Sequence, residues 1–127
     1  HLAKTPEEIK IDLGLGRLAT QLAVERHCGT LEVIYTPFGA SYIQHGKDLT
    51  RVKTVIGTGG VLVNNPQALE ILQGAAKDTP ASLKPQAPDY YLDKEYIMAA
   101  MGLLAETDPL AALKIMKKYL IPIGGDR

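Results

Sequence analysis

An apolar, β-branched run passes into a glycine-rich turn at Val55-Ile56-Gly57-Thr58-Gly59-Gly60-Val61-Leu62, and Asn65-Pro66 follows with the look of a helix start. Glycines let a ligand approach the backbone without meeting a Cβ, and they adopt positive φ at little cost. A helix amino terminus adds unpaired N–H groups and a partial positive charge. An anion or a nucleotide can sit on such an arrangement, although the same spacing also describes a plain tight turn. The Walker spacing, with its Lys and Ser/Thr, is absent, and the dinucleotide fingerprint is not completed after Gly60.

Other residue types invite chemistry less. Lys47 and Asp48 fall in a polar stretch, and loops carry more than their share of binding residues, but a solvated turn is the simpler reading. Imidazole and carboxylate suit divalent metals, yet His27, His45 and Asp48 show no metal-site spacing, so no metal site is expected. Cys28 is the single cysteine. It has no cationic surroundings beyond Arg26 and His27 to make it a nucleophile, and Glu25 fares no better as an acid. Tyr90, Tyr91 and Tyr96 are able to stack a base, but their clustering reads more simply as a small satellite core. No set of acid, base and nucleophile emerges.

The chain has 127 residues, a length that suits one domain with one hydrophobic core. Fourteen basic residues balance fourteen acidic ones, so the broad positive field that attracts nucleic acid is missing. Lys114, Lys117 and Lys118 read as cations near a helix carboxy terminus. A lone thiol fits a reducing cytoplasm, and no apolar run approaches the length of about 20 residues that a spanning helix needs. The chain opens at His1 without an initiator Met, which fits a piece processed or excised from a longer parent.

Thr5, Pro6 and Glu8 make a capping box with Pro at the first helical position, predicting a short helix over residues 6–12. Gly14 and Gly16 then interrupt, and Leu15, Leu18, Ala19, Leu22 and Ala23 recur at helical spacing until Gly29. Residues 31–36 and 40–44, rich in β-branched and aromatic types around Pro37 and Gly39, predict two strands joined by a turn. Residues 45–50 read as a polar loop and 52–57 as a third strand. Asn65 and Pro66 predict a helix with Ala68, Leu69, Leu72, Ala75 and Ala76 on its buried face, and Gly74 hints at close packing or an early end. Residues 78–92, with Pro80, Pro85 and Pro88, read as a surface connection. Asp93 is placed to cap a helix facing inward through Ile97, Ala100, Met101 and Leu104. Asp108 with Pro109 starts a last helix facing inward through Leu110, Leu113 and Met116. The expectation is an α/β single domain of about three strands and four main helices.

Several of these segments also carry a resemblance. Gly46-Lys47-Asp48-Leu49-Thr50, then Val55-Ile56-Gly57-Thr58-Gly59-Gly60, then Tyr96-Ile97-Met98-Ala99-Ala100-Met101-Gly102-Leu103-Leu104-Ala105 resemble successive blocks of the glutamate mutase-associated MutL family. Glu25-Arg26-His27-Cys28-Gly29 resembles a further block, with Cys28 in place of Ala. The similarity runs over residues 17–119. This family is unrelated to the DNA mismatch-repair protein of the same name.

The resemblance implies the carboxy-terminal part of an actin-like, ribonuclease H-like ATPase lobe, in which ATP and a Mg ion lie in the cleft between two lobes. The strand ending in Gly-Thr-Gly-Gly resembles the adenosine motif of such folds. Gly57, Thr58, Gly59 and Gly60 are therefore the implied nucleotide contacts, with Asn64, Asn65, Lys47 and Asp48 as weaker candidates; Asn65 suits a helix cap as well. The acidic, glycine-rich phosphate hairpin of the family is not found here, so the chain is expected to contribute at most half of an ATP site. Hydrolysis or tight nucleotide binding by the chain alone is not expected. The implied task of the parent is to assist or reactivate an adenosylcobalamin-dependent mutase such as glutamate mutase, in the manner of a chaperone, with that mutase and the rest of the parent chain as partners. The alternative is a protein-interaction module that contacts the mutase without nucleotide.

Overall fold

Thr5 starts the first helix as its sequence predicts. Its hydroxyl accepts the Glu8 N–H at 3.2 Å, and a Glu8 carboxylate oxygen accepts the Thr5 and Lys4 N–H groups at 3.0 and 2.8 Å. In the computed structural model, which describes residues 3–125, this helix (α1, Pro6–His27) does not stop at Asp12. It runs unbroken through Gly14 and Gly16. The two glycines cost helix stability, and packing explains why one of them is tolerated: a Cβ at Gly16 would lie 3.3 Å from two carbons of Ile71.

Two strands follow, β1 (Thr30–Thr36) and β2 (Gly39–His45), paired antiparallel with Val33 opposite Tyr42. They form a sheet of their own. The third strand, β3 (Thr54–Gly57), is shorter than the predicted 52–57. A single-turn helix α2 (Gly60–Val63) comes next, then α3 (Ala68–Leu72), which tightens into a 3₁₀ turn at Gln73–Ala75. Gly74 allows that turn to press on α1, because a Cβ there would come within 2.8 Å of the Arg17 carbonyl oxygen. The core sits here, with Ala68, Ile71, Leu72 and Ala75 buried under α1.

Residues 78–92 are not a surface connection. Leu83, Lys84 and Pro85 are buried, and β4 (Asp89–Leu92) is the middle strand of the second sheet, order β3-β4-β5. The prolines mask this, since each interrupts the alternation by which a strand is recognised; Pro88 does no harm immediately ahead of a strand. Strand β4 runs parallel to β3 and antiparallel to β5 (Ile121–Gly124), a strand the sequence pattern did not announce. Pro122 is tolerated because β5 is an edge. Among the described residues there are thus five strands rather than about three, in a mixed α/β arrangement.

Helices α4 (Met98–Leu104) and α5 (Pro109–Tyr119) pack against one another. Asp108 caps α5 through the Ala111 N–H at 2.9 Å, as expected. The inward face is different: Ala112 is wholly buried, whereas Leu110 is 70% exposed and Leu113 is also exposed. The same holds in α1, where Leu15 is 62% exposed, with Leu18 and Leu22 also open to water. The periodic apolar face is present in both helices, but α1 turns its Gly16 side to α3 instead.

Candidate nucleotide site

In open sheets ligands gather at the carboxyl ends of parallel strands. Here those ends are Gly57 of β3 and Leu92 of β4, which stand opposite one another in the register. The segment after each strand is tied across: the Asp93 N–H donates to the Gly57 carbonyl at 2.8 Å.

The four residues of the turn do different work. Gly57 is buried, and a Cβ there would come within 2.8 Å of Leu72 and 3.0 Å of Leu62, so its side-chain-free state serves packing. Thr58 is exposed. Gly59 has φ +101°, a conformation that favours glycine, and no atom lies within 4 Å of where its Cβ would be. Gly60 opens α2, and its carbonyl accepts the Asn64 N–H at 3.1 Å and the Asn64 side-chain amide at 2.8 Å. The turn therefore presents bare backbone at Gly59 toward open space.

The helix that follows differs from the expected one. Asn65 does not cap a helix beginning at Pro66; its side-chain oxygen accepts the Gln67 N–H at 2.9 Å in a local turn, and α3 begins at Ala68. The helix that leaves the glycines is α2, four residues long, so little aligned helix dipole stands behind the turn. A hollow between Gly60, Asn64 and Asn65 on one side and Ile9 and Asp12 of α1 on the other has a volume of about 30 Å³. That is room for one water and far below the few hundred Å³ of a ligand pocket.

Lys47 and Asp48 are not brought to this place. Their loop leads into the amino-terminal end of β3, where the Thr50 carbonyl accepts the Gln86 N–H and the Lys53 carbonyl the Asp89 N–H. The Asp48 carboxylate is occupied by the Thr50 hydroxyl at 2.6 Å and the Thr50 N–H at 2.9 Å, which hold its pKa below the ordinary carboxylate value. Glu25 is also structural. With Asp78 it grips the Lys84 ammonium, each at 3.0 Å, and the Lys84 side chain is only 2% exposed. Gln21 and then Lys84 lower the Glu25 pKa, and Lys84 lowers that of Asp78. Burial pulls the Lys84 pKa down, but the hydrogen bonds to Glu25 and Asp78 outweigh it, and the net shift is upward.

One residue beside the turn had no signal as a site residue. Asp93 is 2% exposed, and beyond its backbone tie to Gly57 its carboxylate accepts the Ile97 and Met98 N–H groups at 2.9 and 3.1 Å. Asp93 is not the N-cap its sequence predicts, because α4 begins only at Met98 behind Ile97; its carboxylate holds the approach to that helix, and its place at the strand ends had no signal. Tyr96 has φ +55° and is largely exposed, unlike buried Tyr90, so the three tyrosines do not form one cluster.

A family model described as MutL protein matches residues 1–120. Protein MutL of Clostridium tetanomorphum is 53% identical over 122 residues, which are 94% of this chain and 26% of that relative. The chain thus spans about a quarter of the length of the curated relative it matches. No solved structure matches. Among the described residues no helix is long and apolar enough to cross a membrane.

Proposed function

From the premise that the chain belongs to the MutL protein family, the one its sequence resembles, we propose that it supplies one wall of an adenosine-nucleotide site in a longer ATP-using protein. That protein would assist or reactivate an adenosylcobalamin-dependent mutase such as glutamate mutase. The observation that carries this reading is the Gly57 to Gly60 turn, which leaves the carboxyl end of a strand with bare backbone facing open space at Gly59.

Chemically the turn suits an adenosine rather than a triphosphate. The backbone at Gly59 offers a close, side-chain-free approach to a flat group. Phosphates and their Mg ion need cations, aligned N–H groups and carboxylates, which have to come from the part of the longer protein outside this chain. Isothermal titration of ATP and ADP into the longer protein tests the reading: micromolar or tighter binding agrees with it, and no heat of binding from either nucleotide defeats it.

A second reading is a module that contacts the mutase without nucleotide. The small hollow beside Asn64 and Asn65 favours it, since the chain by itself holds no pocket there for a base. A mutase pull-down that is indifferent to nucleotide and to Gly59→Val would select this reading over the first.

A further inference from the structure

The β1–β2 hairpin stands on a stiff root and carries a bare arm. At the root, the Gly29 N–H donates to the Lys47 carbonyl at 2.6 Å, and Thr30 bridges to Ser82. Gly29 is buried, a Cβ there would collide with the His45 carbonyl oxygen, and Gly46 lies against it with φ +83°. Beyond that root the two seven-residue strands are exposed almost throughout.

The register puts Leu31, Val33, Tyr35, Ala40, Tyr42 and Gln44 on one face. Tyr35 is 85% exposed, Tyr42 is 69% exposed, and Phe38 at the tip is fully exposed. The other face carries Ile34 and Ile43 beside the Glu32–His45 pair at 2.9 Å. An isolated two-stranded hairpin is marginal in water. Exposed strand edges are ordinarily guarded by Lys or Pro, and neither strand contains one.

We propose that this hairpin is an intramolecular docking arm, covered on its Val33, Tyr35 and Tyr42 face by the part of the longer protein that this chain does not span. Length supplies the occupant, because the matching relative extends well beyond the 26% that corresponds to this chain. Composition supplies the kind of contact. Glu32 is the only Asp, Glu, Lys or Arg in either strand and is already paired with His45. A surface so poor in charge resembles the inside of a permanent interface rather than the mixed surface of a transient one.

The test uses full-length Protein MutL of Clostridium tetanomorphum without nucleotide or mutase. Hydrogen exchange is followed over a dilution series, with the molecular mass measured alongside. The amides aligned with residues 31–44 should exchange at least about 100-fold slower than in an unstructured peptide, at every dilution. Near-peptide rates overturn the proposal. So does protection that disappears together with a fall in mass, which would make a second copy the occupant. Placing Lys at the position aligned with Val33 should lower the Tm of the full-length protein; an unchanged Tm overturns the proposal as well.

Discussion

The Asp93 N–H donates to the Gly57 carbonyl at 2.8 Å and closes the carboxyl ends of the two parallel strands onto one another. Asp93 thereby links three features: the glycine turn after β3, the left-handed Tyr96, and the approach to α4, where its carboxylate accepts the Ile97 and Met98 N–H groups. Asp93→Ala keeps the backbone tie but strands the Ile97 and Met98 N–H groups. It should cost about 2 kcal/mol in urea unfolding, the scale of a lost cap at a buried site. Asp93→Asn, which keeps one acceptor oxygen, should lose less.

The glycines separate by environment. Gly57→Ala drives a methyl into Leu72 and Leu62 and should cost about 1–3 kcal/mol as overpacking. Gly14→Ala lies in the interior of α1 with nothing within 4 Å of the new methyl, and should stabilise by about 0.5–1 kcal/mol. Thermal melts of the two variants, displaced in opposite directions, check the assignment.

Lys84 is the buried cation that pins α1 to the segment before β4. Lys84→Met keeps much of the stem but loses both ionic hydrogen bonds, a loss of about 2 kcal/mol on the scale of bonds to charged groups. The linkage signs follow from the shifts. Glu25 and Asp78 are lowered by folding, so their contribution is present above the ordinary carboxylate range and is lost as pH falls through their folded values. Lys84 is raised, so its contribution is present below the ordinary lysine value and is lost as pH rises through its folded value. Stability against pH should therefore fall at both the acidic and the strongly alkaline end. Lys84→Met should flatten both limbs.

Local chemistry was legible in the sequence. Thr5 with Pro6, and Asp108 with Pro109, start helices where their side chains say, and the β-branched runs on either side of Pro37 and Gly39 make the hairpin. What depends on a distant partner was not legible. Gly14 and Gly16 look like a break until Ile71 is seen lying against Gly16. Asp89 to Leu92 looks like loop because Pro80, Pro85 and Pro88 hide the strand, which is held by neighbours on both sides. Leu15, Leu18, Leu110 and Leu113 have the spacing of a buried face, but spacing says only that a face is apolar and not that this chain contains its cover. At the site, the glycine turn could be read directly, whereas the tie to Asp93 required the parallel pairing of β3 with β4.

ADP titration into the longer protein with matched valine substitutions asks whether the nucleotide lies on the Gly57 to Gly60 turn as proposed. Gly59 and Gly39 both have positive φ and open space where a Cβ would go, so Gly59→Val and Gly39→Val carry a similar backbone cost, one at the turn and the other on the hairpin. Gly59→Val should abolish measurable ADP binding while Gly39→Val leaves it within about twofold of the parent, a difference under 0.5 kcal/mol. Equal ADP affinity in the two variants would contradict the proposal.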